Sequence, residues 1–205
     1  MKIFNISHNQ FLELKEDEYH VCIDSTLENG SLTYSECILK GKTSDEVVIS
    51  CYTCHPSLCN DNLSGVVLTS LLAKYLSNLQ LNYSYRFLFI PETIGAIAWL
   101  SSNQNLTSII KHGLVVTCVG DSGISTYKKS RMGDAEIDKV VENMLKNSGN
   151  NYKIINFFPS GSDERQFSSP GFNLPFGSLM RTMYGQFSEY HTSADNLQFI
   201  KKDSL

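Results

Sequence analysis

Residues 55–66, His-Pro-Ser-Leu-Cys-Asn-Asp-Asn-Leu-Ser-Gly-Val, put an imidazole (His55) and a carboxylate (Asp61) where an apolar run ends and a helical pattern begins. Imidazole nitrogen and carboxylate oxygen are donors that a divalent cation accepts. A helix starting near Asn62 would set Asp61 beside its N-terminal end, ionised, held by backbone N–H groups and able to share a cation with His55. Taken alone, the segment also fits a loop histidine followed by an N-cap at Asp61 or Asn62. Cys51-Tyr52-Thr53-Cys54-His55 matches the C-x-x-C-H pattern of covalent haem attachment, and Cys51, Cys54, His55 and Cys59 offer the donors of a structural zinc site. Against the first, no export signal is visible and Cys51 belongs to the apolar run, where a cysteine packs as a small hydrophobe; against the second, the four donors lack paired knuckles. Gly120-Asp121-Ser122-Gly123 repeats the string around a serine-protease nucleophile, but that chemistry sits on an all-β fold. A turn closing a strand, with Asp121 capping it or facing a cleft, fits the surroundings better.

These residues need a scaffold. Residues 21–24, 32–39 and 46–52 are short β-branched or alternating runs separated by Asn29-Gly30 and Gly41-Lys42, which predicts strands joined by turns. Apolar residues then recur at helical spacing over 62–79, and 83–90 is again a strand, giving a β-α-β unit. A helix over 95–100, a strand over 113–119, a helix over 134–146 and strands over 152–157 and 174–180 continue the alternation. The expected fold is α/β, a sheet with helices on both faces. Its strand-to-helix loops gather the functional groups: 54–65, 91–95, 120–123 and 161–165, with a fifth group at 189–196.

Composition narrows the classes. The chain has 205 residues, enough for a sizeable core, and a net charge of −4, so no basic excess advertises a nucleic acid or an anionic membrane. The apolar share of 41% with 13 Gly and 5 Pro argues against disorder. No apolar stretch approaches the roughly 20 residues of a membrane-spanning helix, and a cytoplasmic location is the expectation. Six cysteines in a chain of this length read as reduced thiols rather than a disulfide scaffold. Lys128, Lys129 and Arg131 form a short basic patch, expected in a solvated loop. One domain over 1–205 is the working organisation, with room for it to be a piece of a longer multidomain protein.

The motifs, taken in order, are His55 with Asp61-Asn62-Leu63-Ser64-Gly65, then Glu92-Thr93-Ile94-Gly95, then Ser162-Asp163-Glu164-Arg165-Gln166-Phe167, then His191-Thr192-Ser193-Ala194-Asp195. This set resembles the M28-type zinc aminopeptidases, whose loops read D-x-x-S-G, E-E-x-G, S-D-x-x-x-F and H-T-x-x-D. The longer strings over 55–65, 162–167 and 189–196 are similar to a DUF4910-type subgroup, aminopeptidase-like proteins often associated with surface-polysaccharide gene clusters. The resemblance spans roughly residues 46–199. It implies a mixed, mostly parallel sheet flanked by helices in a three-layer sandwich. It also implies zinc held by His55, Asp61 and His191, with Glu92 as the general base that takes a proton from activated water. The implied activity is zinc-dependent cleavage of an amide bond in a small peptide or N-acyl substrate.

Departures bear on that reading. The second glutamate of E-E-x-G, a metal ligand in the family, is Thr93; an expected strand-end aspartate is Thr117; and Ser57 stands where an aspartate would orient the first histidine. Two divalent ions about 3.5–4 Å apart rely on several carboxylates for compensation, so one zinc ion is expected rather than two. Asp121 or Glu164 can supply a displaced carboxylate; equally, Asp163 and Glu164 with Arg165 can form a charge network that shapes the cleft. The same departures leave open a catalytically altered binding or assembly module in polysaccharide biosynthesis, or a single-zinc acyl transferase or cyclase.

Overall fold

The structure is a computed structural model describing residues 6–159 and 161–204. By internal contacts the chain divides into two units, residues 1–31 and residues 32–205. The described part of the first contains helix α1, His8–Glu13, opened by a capping box in which Ser7 Oγ accepts from Gln10 N and Gln10 Oε1 accepts from Ser7 N. The strand expected at 21–24 does not form. Val21 and Ile23 alternate with polar neighbours as a strand would, but a strand is defined by the chain it pairs with, and among the described residues none pairs with them.

The second unit is built on a seven-stranded sheet: β1 Ser35–Leu39, β2 Glu46–Tyr52, β3 Ser84–Ile90, β4 Ile110–Val116, β5 Ser125–Lys128, β6 Tyr152–Ile155 and β7 Phe176–Met180. Its order is β1-β3-β2-β4-β7-β5-β6. The central β3, β2, β4 and β7 run parallel; β1 is antiparallel to β3 at one edge, and at the other β5 is antiparallel to β7 and parallel to β6. The sheet is thus mixed and mostly parallel, as expected.

Period-two alternation sorts the side chains onto two faces. Val48, Leu88, Ile90 and Val115 pack with Trp99 and Leu100 of α3 (Ile94–Ser102) and Phe167 of α5 (Glu164–Phe167). Val47, Ile49, Phe87 and Val116 meet Leu68, Leu72 and Leu76 of α2 (Ser64–Leu76). Leu114, on that same face, extends the layer to Val141 and Leu145 of α4 (Glu136–Asn147). The result is helix, sheet, helix. A Cβ on Gly113 would lie 2.3 Å from the Phe176 ring, so only glycine lets that ring stack on Phe167 at 4.0 Å. Among the described residues no helix is long and apolar enough to cross a membrane.

Two strands depart from expectation. Strand β4 stops at Val116 rather than 119 because Asn62 takes over its backbone: Asn62 Nδ2 donates to Val116 O at 3.1 Å and Cys118 N to Asn62 Oδ1 at 3.1 Å. Strand β5 was hidden by its composition, Ser-Thr-Tyr-Lys, and it moves Lys128 from the expected solvated loop into the interior, wholly buried.

Arg86 of β3 is the other buried cation that organises the sheet. It grips Glu46 of β2 with two hydrogen bonds of 2.6 and 2.7 Å and also bonds Glu36 of β1, whose second oxygen accepts from Trp99 Nε1 at 2.9 Å. Removing one partner of such a group strands the remaining charges without water. Arg86→Met should therefore lower unfolding free energy by about 3–5 kcal/mol in urea titrations; a loss under ~1 kcal/mol would show that the network does not hold the edge strand.

Candidate metal centre

Asp61 lies in the turn Cys59–Leu63 between β2 and α2, 1% exposed. Asp61 and Asn62 have non-helical backbones, so the regular helix opens at Ser64 rather than near Asn62. The turn is tied down from outside. Asp195 accepts from Asn60 N at 2.6 Å and Asp61 N at 2.9 Å, and its carbonyl accepts from Cys59 N at 3.1 Å. Asn60 Oδ1 accepts from Gly120 N at 2.8 Å, and Ser64 Oγ from Val119 N at 3.1 Å.

Contrary to the helix-end expectation, the Asp61 carboxylate takes no backbone donor among the described residues. Tyr52 Oη donates to Asp61 Oδ1, and Tyr52 Oη is itself 2.6 Å from Thr117 Oγ1. The other oxygen, Oδ2, is buried without a hydrogen-bond partner among the described residues. It lies 3.1 Å from His191 Nε2 and 3.9 Å from His55 Nε2, and the two imidazole rings sit 4.8 Å apart. Ligand atoms of all three residues lie within 4.8 Å of one another. His191 reaches the group from a backbone with φ of 57°, its ring stacked on Tyr190 at 4.0 Å. A buried carboxylate oxygen without a donor is costly; two nitrogens and one anionic oxygen converging there make a three-ligand set that fits a divalent cation such as zinc and leaves a position open.

Glu92 follows β3 and is half-buried. Burial raises its pKa, as do the nearby Asp61 and Glu164 carboxylates, against a lowering by His191. Its carboxylate joins a second group of ligand atoms with Cys54 and His55, again within 4.8 Å of one another. Asp121, Asp163 and Glu164 belong to neither group. Asp121 is consumed by Asn60 Nδ2 at 3.0 Å, Gly123 N at 2.6 Å and Thr182 Oγ1 at 2.7 Å. Glu164 pairs with Lys128 Nζ at 2.7 Å, both side chains fully buried, and the ammonium lies 3.8 Å over the Phe158 ring. Asp163 Oδ1 accepts from Thr93 N at 2.6 Å, where Thr93 adopts φ of 62°. Burial drives the Asp163 pKa up to about 8, the Thr93 hydrogen bond opposing and the Glu92 and Glu164 charges adding.

Cys51 is buried in β2 and Cys59 lies in the turn; neither joins the ligand groups among the described residues. Reasoning from residue types missed Tyr52, Lys128 and the clamping role of Asp195. Asp195 carried a signal as the last residue of the His191 motif; a tyrosine ending a strand and a buried lysine carried none.

Residues 8–205 match the family described as a domain of unknown function, DUF4910. A Clostridium acetobutylicum protein named for polysaccharide biosynthesis and an aminopeptidase-like domain is 59% identical over 202 residues, 98% of this chain and 46% of that protein. A crystal structure from Clostridium acetobutylicum, designated a peptidase there, superposes with a TM-score of 0.88 at 59% identity, covering 97% of this chain and 47% of the other. A zinc aminopeptidase from Bacillus subtilis shares the fold, with a TM-score of 0.70 at 16% identity over 82% of this chain and 45% of its own. The chain spans about half the length of these relatives.

Asp163 generates a pH test. With its folded pKa near 8 and an unfolded value near the ordinary 3.8, its contribution to stability is complete in acid and declines as pH rises toward 8, because the unfolded chain releases the proton first. Relative to Asp163→Asn, the wild type should lose on the order of 1–4 kcal/mol between pH 5 and pH 8. Urea midpoints at the two pH values measure it; parallel behaviour of the two proteins would contradict a protonated Asp163.

Proposed function

The chain belongs to the DUF4910 family, and from that premise and the geometry of Asp61 we propose a metal-dependent amide hydrolase of aminopeptidase type. The observation that carries the reading is the bare, buried Asp61 Oδ2 facing His55 Nε2 and His191 Nε2. Those three atoms would hold one ion, and the nitrogen-rich donor set favours zinc. A second ion is disfavoured because Tyr52 occupies Asp61 Oδ1, Thr117 holds Tyr52, and Thr93 brings no carboxylate.

When bound, such an ion supplies Lewis-acid polarisation of a substrate carbonyl and lowers the pKa of water. Glu92, beside His55, takes the proton from attacking water and delivers it to the leaving amine. Asp163 holds Thr93 N and so fixes the backbone next to Glu92. Lys128 offsets the charge of Glu164, so that Glu92 does not face two uncompensated carboxylates behind it. The open position beside half-exposed His191 leaves room for a small peptide or N-acyl substrate.

The threonines at 93 and 117 also support a second reading, a binding or assembly module that has lost turnover, in keeping with the polysaccharide-biosynthesis name of the relative. One experiment separates them. Wild type should carry zinc one-to-one by elemental analysis, Asp61→Ala with His191→Ala should carry none, and Glu92→Gln should keep the metal while losing about 10²–10⁴-fold in turnover of aminoacyl or N-acyl substrates. Unchanged metal content in the double variant contradicts the centre; metal without Glu92-dependent turnover supports the binding module.

A further inference from the structure

The parallel pairing of β2 with β3 puts Tyr52 opposite Ile90, and Thr53 N extends that ladder to Ile90 O at 2.9 Å. Two residues beyond the pair on each strand stand Cys54 and Glu92, so the register itself brings a thiol beside a carboxylate. His55 completes the group, with one ligand atom from each of the three inside 4.8 Å. Cys54 is exposed and the other two are half-buried, so the group is open to ions from solution.

We propose that Cys54, His55 and Glu92 form an alternative cation site, selective for thiophilic divalent ions and competing with the Asp61 centre for His55, that inhibits the enzyme when filled. Its donors are sulfur, nitrogen and oxygen, whereas the Asp61 centre has no sulfur. A thiolate favours zinc, cadmium or cobalt over magnesium or manganese. Binding releases the thiol proton to solvent as the sulfur–metal bond forms, with no change of oxidation state. Inhibition follows because the ion takes the Glu92 carboxylate that proton transfer needs; that consequence rests on the function proposed above, while the binding itself does not.

Cobalt(II) titrated into the full chain tests it through thiolate-to-cobalt charge-transfer absorption. Wild type should develop the band as cobalt is raised and the ion competes for His55. Cys54→Ser should lose it, Glu92→Gln should need at least about tenfold more cobalt to reach it, and His191→Ala should keep it. No band in wild type, or a band that survives Cys54→Ser and so arises at other accessible thiols such as Cys22 or Cys37, overturns the proposal. Loss of the band in His191→Ala overturns it too, by making Cys54 part of the Asp61 centre and leaving the proposed function intact. A band that persists while Asp61→Ala leaves total cobalt uptake unchanged would sink the proposed centre and leave this site standing.

Discussion

The two oxygens of Asp61 live in different worlds, and the surrounding structure serves to keep them so. One is satisfied by the Tyr52 hydroxyl; the other is buried, bare and faced by two imidazole nitrogens. Sealing an anionic oxygen from water without a donor is unfavourable unless a cation completes it. The parallel neighbours β2 and β4 end side by side, which brings Tyr52 to Thr117. The segment carrying His191 clamps the turn through Asp195 four residues later, so one loop both fixes the carboxylate and delivers a nitrogen to it.

Behind this centre lies a problem of charge. Glu92, Asp163 and Glu164 crowd the same region, and three ionised carboxylates with little water would repel strongly. The structure meets this in two ways: Glu164 is matched by fully buried Lys128, and Asp163 holds its proton to about pH 8. A buried ion pair is weak evidence for stability; here it serves to place charge. Glu92, whose pKa burial raises, has Ser162 and His191 acting in the opposite direction.

Much of the scaffold was legible because periodicity reports burial. Strand β2 was read to its bounds, and α2, β3, α4 and β7 lay within a few residues, since each buries a full face. Residues 21–24 misled for the complementary reason: alternation signals a strand only when a neighbour exists to pair with it. Strand β5 and Lys128 were illegible because a four-residue polar strand and a buried ammonium both run against what residue type suggests. His55, Asp61 and His191 were recognisable as a set from their motifs, yet the motif could not reveal that Asp61 is held by a tyrosine rather than by a helix end. That detail is visible only in three dimensions.

Asp61 Oδ2, His55 Nε2 and His191 Nε2 converge where a cation would sit. Crystals grown with a single equivalent of zinc, examined by anomalous scattering at the zinc edge, give the most direct view. One peak touching His55 Nε2, Asp61 Oδ2 and His191 Nε2, with Tyr52 still bonded to Asp61 Oδ1, is the predicted map. A peak elsewhere, or a pair of peaks bridged by both oxygens of Asp61, would contradict it.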